Sequence, residues 1–123
     1  LEIHTAIDTP ERLPFDEEDM LELLGNLLDN AAKWARRRVH LSLRWRERLQ
    51  IVVEDDGPGI EADAAEVLST RGSRLDESIP GHGLGLSIVQ EIVRVHGGHL
   101  RFGRSEKLGG FASTIDLPGV RNQ

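Results

Sequence analysis

The sequence contains no cysteine, few aromatic residues and no long hydrophobic run. Without cysteine, neither a disulfide framework nor a thiolate metal site is available. Aromatic residues make up 4% of the 123 residues, so the core must consist mostly of Leu, Ile, Val and Ala. No apolar stretch reaches the roughly 18 residues that a membrane-spanning helix needs. The formal net charge of −6 disfavours non-specific binding to nucleic acid or to anionic lipid.

The remaining composition is that of one globular domain. Hydrophobic residues make up 38% and charged residues 29%, which is ordinary for a soluble protein. A chain of this length can bury a single core, so residues 1–123 are interpreted as one domain. The sequence starts within a strand-like segment and without Met, and we expect it to be a piece of a longer protein. It shows no coiled-coil heptads, which predicts that this piece is monomeric.

The segment 21–35, LELLGNLLDNAAKWA, predicts an amphipathic helix around which the rest of the chain is organised. At about 100° per residue, one arc is apolar and consists of Met20, Leu24, Leu27, Leu28, Ala31 and Ala35. The opposite side carries a line of Glu22, Asn26, Asn30 and Lys33. Asn is a poor helix former, so this line differs from an ordinary solvated face of Glu and Lys. Two amide oxygens and one cation suit a hydrated Mg²⁺ ion and phosphate oxygens. A solvated polar face is the alternative interpretation of this line taken alone.

The other periodic segments predict a fold of the α+β class. Asp16 is a predicted N-cap for the first helix, which should end near Arg36. Further helices are predicted at 61–68 and 83–96, with Gly97 as the C-cap, on either side of an irregular stretch at 69–82. Strands are predicted at 1–7, 39–45, 49–54, 99–103 and 110–117, with a tight hairpin at 46–48 that lacks the usual Gly or Asn. The pattern indicates a two-layer α/β sandwich, a mixed sheet with helices on one face.

An acidic, glycine-rich turn, DDGPGI, follows the predicted strand 49–54. Glycine at 57 and 59 allows a tight turn and a close approach to a flat ligand. A carboxylate at the strand end, such as that of Asp55, can accept a hydrogen bond from an exocyclic amine like that of adenine. Asp56 is interpreted as a surface group at the strand end. An ordinary acidic turn is the alternative interpretation, since Asp-Gly is common in turns.

A second glycine-rich stretch, GHGLGL at 81–86, opens a predicted helix. Backbone N–H groups at the positive end of a helix are a good place for phosphate. The stretch is not a Rossmann loop, because it does not follow a strand directly, and it lacks the Gly-Lys-Ser/Thr of a Walker A loop. Taken alone, it could also be a simple hinge.

The order of these motifs resembles the Bergerat-type ATP-binding fold of sensor histidine kinases, gyrase-type topoisomerases, HSP90 chaperones and MutL-type repair proteins. NLLDNAAKW is similar to the N box, DDGPGI to the G1 box and GHGLGL to the G2 box, and the resemblance runs from about residue 15 to 117. Position 26 holds Asn, where the other branches usually have a Glu that activates water. Since an amide cannot take a proton, the site resembles a kinase, and the lid sequence is similar to PhoQ-type sensor kinases.

The resemblance implies ATP and Mg²⁺ as cofactors and assigns a role to each motif residue. Asn30 would be the Mg²⁺ ligand, assisted by Asn26. Lys33 and Arg74 would reach the phosphates, and Asp55 would accept from the adenine amine. The remaining predicted nucleotide-binding residues are Trp34, Gly57, Gly59, Ile60, His82, Gly83, Leu84, Gly85 and Leu86. Asn26, Lys33 and Arg74 are the predicted catalytic residues. Trp34, Ile79 and the absence of Phe near 67–70 depart from the usual pattern.

The resemblance also implies partners and a location. The nucleophile would be a histidine on a separate dimerisation helix, since no histidine here has the acidic helical context of a phosphoacceptor. The expected partners are that dimerisation and phosphoacceptor domain and, through the full-length kinase, a response regulator, with no nucleic acid. The parent would be a homodimeric bacterial inner-membrane sensor with this domain in the cytoplasm. Three alternatives remain: an ATPase or clamp module of the gyrase, HSP90 or MutL type, a non-catalytic nucleotide-binding module, and a serine kinase of the anti-sigma type.

Overall fold

The computed structural model describes residues 1–59 and 83–119, with the backbone alone at 83 and 84. These residues form two helices and five strands: β1 Glu2–Asp8, α1 Glu17–Trp34, β2 Arg38–Trp45, β3 Arg48–Asp55, α2 Gly83–Val95, β4 His99–Arg104 and β5 Phe111–Pro118. The predicted helix at 61–68 and the irregular stretch at 69–82 lie outside the described residues. In the part of the chain that is described, no helix is long and apolar enough to cross a membrane.

The five strands form one mixed sheet in the order β1-β2-β3-β5-β4. β1 pairs with β2 in parallel, and the other three neighbouring pairs are antiparallel. Burial alternates strictly along β5, where Phe111, Ser113, Ile115 and Leu117 are buried and their neighbours are not. These buried side chains form one core with those of α1 and α2. The predicted two-layer arrangement, a mixed sheet with helices on one face, is confirmed.

Helix α1 begins earlier than the apolar periodicity alone indicated. The side chain of Asp16 accepts a hydrogen bond from the backbone N–H of Asp19 at 3.0 Å, which confirms the predicted N-cap. The helix ends at Trp34, with Ala35 as its C-cap, rather than near Arg36. Leu23, Leu27 and Ala31 are its buried residues. The predicted apolar arc omitted Leu23, although its side chain is fully buried. The buried stripe of the helix is centred at one edge of that arc and not at its middle.

Helix α2 ends as predicted and is tied to the start of α1. Gly97 adopts a φ of 71° and donates its N–H to the carbonyl of Arg94, so it terminates the helix. Beside it, Nε2 of His96 lies 2.8 Å from Oδ2 of Asp19. The contact joins the last turn of α2 to the first turn of α1. It therefore fixes how the two helices that carry the asparagine and glycine motifs lie against each other.

Candidate functional site

Asp55, the last residue of β3, is almost completely buried, with 1% of its surface exposed. Its Oδ1 accepts hydrogen bonds from the N–H groups of Gly57 at 2.8 Å and Phe111 at 3.3 Å. Its Oδ2 is buried and has no hydrogen-bond partner among the described residues. Burial raises the pKa of this carboxyl, and the two backbone hydrogen bonds oppose the shift. A buried acceptor without a donor costs free energy, and a ligand N–H group would recover it.

Two glycines predicted to approach a ligand, Gly57 and Gly59, lie close to protein backbone. A Cβ atom on Gly57 would overlap the carbonyl group of Trp34, so glycine lets the end of β3 touch the end of α1. Gly59 has a φ of 73°, and a Cβ there would lie 3.2 Å from the backbone carbon of Gly110. Gly110 was not predicted as a site residue, yet a Cβ on it would overlap Asp55. The sequence signal that could have identified Gly110 is the pair Gly109-Gly110, which directly precedes β5.

Asp56, interpreted as a surface group at the strand end, follows β3 directly and also binds the backbone of a turn that is distant in sequence. Its Oδ1 accepts hydrogen bonds from the backbone N–H groups of Arg36 at 2.8 Å, Arg37 at 3.0 Å and Arg38 at 3.2 Å. The bond from Arg37, supported by those from Arg38 and Arg36, lowers the pKa of the Asp56 carboxyl to about 2. The carboxylate therefore holds the turn between α1 and β2. The side chains of the three arginines are exposed.

The asparagine line of α1 faces the start of α2. Asn26 is half-buried, and its Nδ2 donates to the carbonyl of Glu22 at 2.8 Å, which leaves Oδ1 as the acceptor of this side chain. That oxygen lies 3.3 Å from where a Cβ on Gly85 would be. Asn30 is half-buried one turn further along, and Lys33 is exposed with its Nζ 5.8 Å from the centre of the Trp34 ring. The structure thus brings the Asn motif and the second glycine motif together.

The first turn of α2 presents backbone donors and carries no acidic residue. Its N–H groups have no partner within the helix, and they lie at the positive end of the helix dipole. Gly83 begins the helix and Gly85 is half-buried. The side chain of Leu86 is fully buried in the core, so only its backbone can face a ligand. The structure describes only the backbone of Leu84.

Ile60, Arg74 and His82 also lie outside the described residues, so their predicted contacts stay predictions. Within the described segments, no group of three or more His, Asp or Glu residues could hold a metal ion. The described residues that the sequence predicted as cation ligands are Asn26 and Asn30, whose side chains offer amide oxygens. Mg²⁺ commonly keeps several waters and phosphate oxygens among its ligands.

The sheet, the buried carboxylate and the glycine motifs define a known class of ATP-binding domain. Residues 15–121 match the family described as histidine kinase-, DNA gyrase B-, and HSP90-like ATPase. The chain therefore belongs to this family.

The similar proteins are sensor kinases. The chain is 49% identical to the sensor protein kinase CarS of Pseudomonas aeruginosa over 108 residues, which are 87% of this chain and 24% of CarS. It is 40% identical to the sensor protein PhoQ of Escherichia coli K12 over 111 residues, 88% of this chain and 23% of PhoQ. The chain thus spans about a quarter of the length of these curated relatives. The resemblance to the catalytic domains of PhoQ-type sensor histidine kinases is confirmed.

Solved structures agree with the fold. The mycobacterial sensor histidine kinase MprB is 34% identical, with a TM-score of 0.76 over 98% of this chain and 84% of that chain. Full-length ShkA, solved in complex with AMPPNP, is 29% identical, with a TM-score of 0.76 over 98% of this chain and 26% of that chain.

Proposed function

We propose that this domain binds Mg-ATP and donates the γ-phosphoryl group to a histidine on the dimerisation helix of a two-component sensor kinase. The observation that carries the proposal is the buried Oδ2 of Asp55, which has no hydrogen-bond partner among the described residues. The exocyclic amine of adenine would supply the missing donor. The complex of ShkA with AMPPNP supports a nucleotide ligand for this fold.

At the base end of the proposed site, hydrogen bonds already hold the acceptor carboxylate in place. Oδ1 of Asp55 is already held by two backbone N–H groups, so only Oδ2 remains to accept a hydrogen bond. Gly59 and Gly110 pack backbone against backbone beside it. A preorganised acceptor binds its donor without a further ordering cost. Ile60, which follows Gly59 in the sequence, belongs to the proposed nucleotide-binding set.

The phosphate end of the proposed site lies where α1 meets α2. Asn30, assisted by Asn26, would hold Mg²⁺ through amide oxygens, and Lys33 would contact a phosphate. The backbone N–H groups at Gly83 and Gly85 would donate to the phosphate chain. The metal ion, when bound to these residues, would supply positive charge that offsets the negative charge of the phosphates. Trp34, His82 and Arg74 complete the proposed set.

The residues of this site favour transfer over hydrolysis. Asn26 would lie next to the phosphates, and an amide cannot accept a proton from an attacking water. The chain's own residues would therefore position the γ-phosphoryl group and shield it until the acceptor histidine arrives. A hydrolysing clamp module of the gyrase, HSP90 or MutL type would need a general base in this place.

The proposal extends to the whole protein from which this domain comes. Residues 1–123 would form one catalytic domain, monomeric alone, within a homodimeric kinase. Its partners would be its own dimerisation and phosphoacceptor domain and, through the full-length kinase, a response regulator. The domain would lie on the cytoplasmic side of a bacterial inner membrane. The names of the two relatives described above, a sensor protein kinase and a sensor protein, support a place for this domain in a sensor kinase.

A transfer assay tests the proposal. The domain is mixed with ATP labelled at the γ-phosphate, Mg²⁺ and the histidine-bearing dimerisation region of a sensor kinase. We expect acid-labile, alkali-stable label on that region, and at least about tenfold less with Asn30→Ala, because positioning supplies most of the catalysis. Asp29→Ala, an exposed neighbour on the same helix, serves as the control. Rapid release of labelled phosphate without transfer would overturn the proposal.

A further inference from the structure

Asp56 occupies a position between the two ends of the proposed nucleotide site. Its carboxylate lies in a nest of three consecutive backbone N–H groups, those of Arg36, Arg37 and Arg38. Its own N–H donates to the carbonyl of Arg38 at 3.3 Å. The turn after α1 is thus bonded to Asp56 through both its side chain and its backbone.

The neighbours of Asp56 connect this turn to both ends of the site. Asp55, directly before it, carries the acceptor proposed for the base. Gly57, directly after it, donates to Asp55 and packs against the carbonyl of Trp34, the last residue of α1. Three consecutive residues therefore join the end of β3 to the end of α1. Lys33 lies next to that contact, and Asn30 lies one turn before it.

We infer that Asp56 is a positioning residue for ATP: its carboxylate clamps the end of α1 to the end of β3 and so sets the separation between the base acceptor Asp55 and the phosphate-binding line of Asn30 and Lys33. This inference rests on the proposed function, because it concerns a ligand that spans both ends. The clamp acts on backbone N–H groups, and the exposed side chains of the three arginines take no part in it.

The chemistry of the clamp predicts which substitutions matter. Oδ1 of Asp56 receives all three N–H groups, whereas Oδ2 receives only that of Arg37, at 3.2 Å. An asparagine can keep the Oδ1 contacts with its amide oxygen. Asp56→Asn should therefore preserve most of the clamp, and Asp56→Ala should remove it. Arg37→Ala removes a nearby cation but keeps the backbone N–H, so it is the matched control for charge.

The test compares a ligand that spans the site with one that does not. Mg-ATP binding is measured by calorimetry, and adenosine binding by the amide chemical shifts of residues 55–59, for each variant at a temperature where it is folded. We expect Asp56→Ala to weaken Mg-ATP binding about tenfold and adenosine binding less than about twofold. Asp56→Asn should recover Mg-ATP binding to within about threefold. Arg37→Ala should leave both affinities unchanged.

Each contrary outcome has a distinct meaning. If the unaltered domain binds no Mg-ATP, the proposed function fails and the inference fails with it. If the unaltered domain binds but Asp56→Ala binds equally well, only the inference fails. Equal losses for Mg-ATP and adenosine would show a merely structural role and overturn the positioning role. If Asp56→Ala does not fold, Asp56→Ser takes its place, because its shorter side chain offers a single hydroxyl oxygen and keeps only part of the clamp. A larger loss of affinity for Mg-ATP than for adenosine in the folded Asp56→Ser variant supports positioning, and equal losses or no loss overturn it.

Discussion

Oδ1 of Asn26 lies 3.3 Å from the position that a Cβ atom on Gly85 would take. The two residues belong to different motifs and different helices, and glycine at 85 leaves room for the amide oxygen. This proximity places the amide line of α1 beside the backbone donors that open α2. The proposed magnesium and phosphate contacts depend on it.

Gly85→Ala is expected to reduce Mg-ATP affinity without unfolding the domain. The new methyl group would press on Oδ1 of Asn26, whose side chain must shift by a few tenths of an ångström to make room. Gly25→Ala is the matched control, because Gly25 is also helical and a Cβ there has no neighbour within 4 Å among the described residues.

The control variant, Gly25→Ala, is also expected to be more stable than the unaltered domain. Gly25→Ala should raise the free energy of unfolding by about 0.5–1 kcal/mol, since alanine is the better helix former. Urea denaturation and calorimetric titration of both variants measure the two effects. Unchanged Mg-ATP affinity in Gly85→Ala would contradict the role given to this contact.

Asp55→Asn is expected to abolish most nucleotide binding while raising the stability of the ligand-free domain at neutral pH. The amide would present an N–H group to the adenine amine, so Mg-ATP affinity should fall at least about tenfold. Stability should rise because the substitution removes a buried carboxylate whose Oδ2 has no partner among the described residues. Asp116→Asn, which alters a carboxylate paired with Arg48, is the control for binding.

The stability difference between Asp55→Asn and the unaltered domain should depend on pH. Burial raises the pKa of Asp55 in the folded state above its value in the unfolded chain. Below the unfolded-state pKa, both states carry the neutral acid and the variants should differ least. As pH rises through the folded-state pKa, the unaltered domain loses stability relative to the variant. Denaturation of both proteins at a series of pH values measures this difference. A gain in stability of the unaltered domain relative to Asp55→Asn with rising pH would contradict the prediction.

The contact between Asp19 and His96 should contribute measurably to stability. Nε2 of His96 lies 2.8 Å from the carboxylate, and the side chains are 17% and 38% exposed for His96 and Asp19 respectively. A double-mutant cycle with Asp19→Ala and His96→Ala should give a coupling of about 0.5–1.5 kcal/mol in denaturation experiments. The same cycle with Glu18, another first-turn acid, should give a value near zero. Equal coupling energies in the two cycles would mean that His96 responds only to negative charge at the start of α1 and not to its direct contact with Asp19.

Glu47 in the β2–β3 hairpin carries backbone strain. Its φ is 69°, a left-handed conformation that disfavours residues with a Cβ. Glu47→Gly should therefore raise the free energy of unfolding by about 0.5–1 kcal/mol, after the greater freedom of glycine in the unfolded chain is counted. Glu47→Ala keeps the Cβ and should give no gain. A gain with alanine instead would assign the effect to the glutamate side chain.

The periodic elements could be predicted from the sequence because their signal is local. The alternation of Phe111, Ser113, Ile115 and Leu117 identified β5, and the Asn and Leu spacing identified α1. The start of α1 was harder, because its first turn is acidic and apolar residues appear only later. Leu23 was omitted from the buried face, since the sequence does not show which side of a broad apolar arc the sheet will cover.

The parts of the site that were missed depend on residues distant in sequence. Asp56 binds backbone groups 18 to 20 residues earlier, and no side-chain pattern marks a backbone donor. Gly110 packs on Asp55 only because β5 lies beside β3 in the sheet. Asp55, by contrast, was singled out from its own motif, which also contains Gly57, the donor of a hydrogen bond to its Oδ1.

The most direct test of the central claim is a calorimetric titration of ATP into the domain, with and without Mg²⁺, while phosphate release is followed. The account predicts saturable binding that strengthens with Mg²⁺ and almost no released phosphate, because Asn26 and Asn30 offer oxygens for the metal and no base for water. Steady release of phosphate, or no binding at roughly millimolar Mg-ATP, would contradict it.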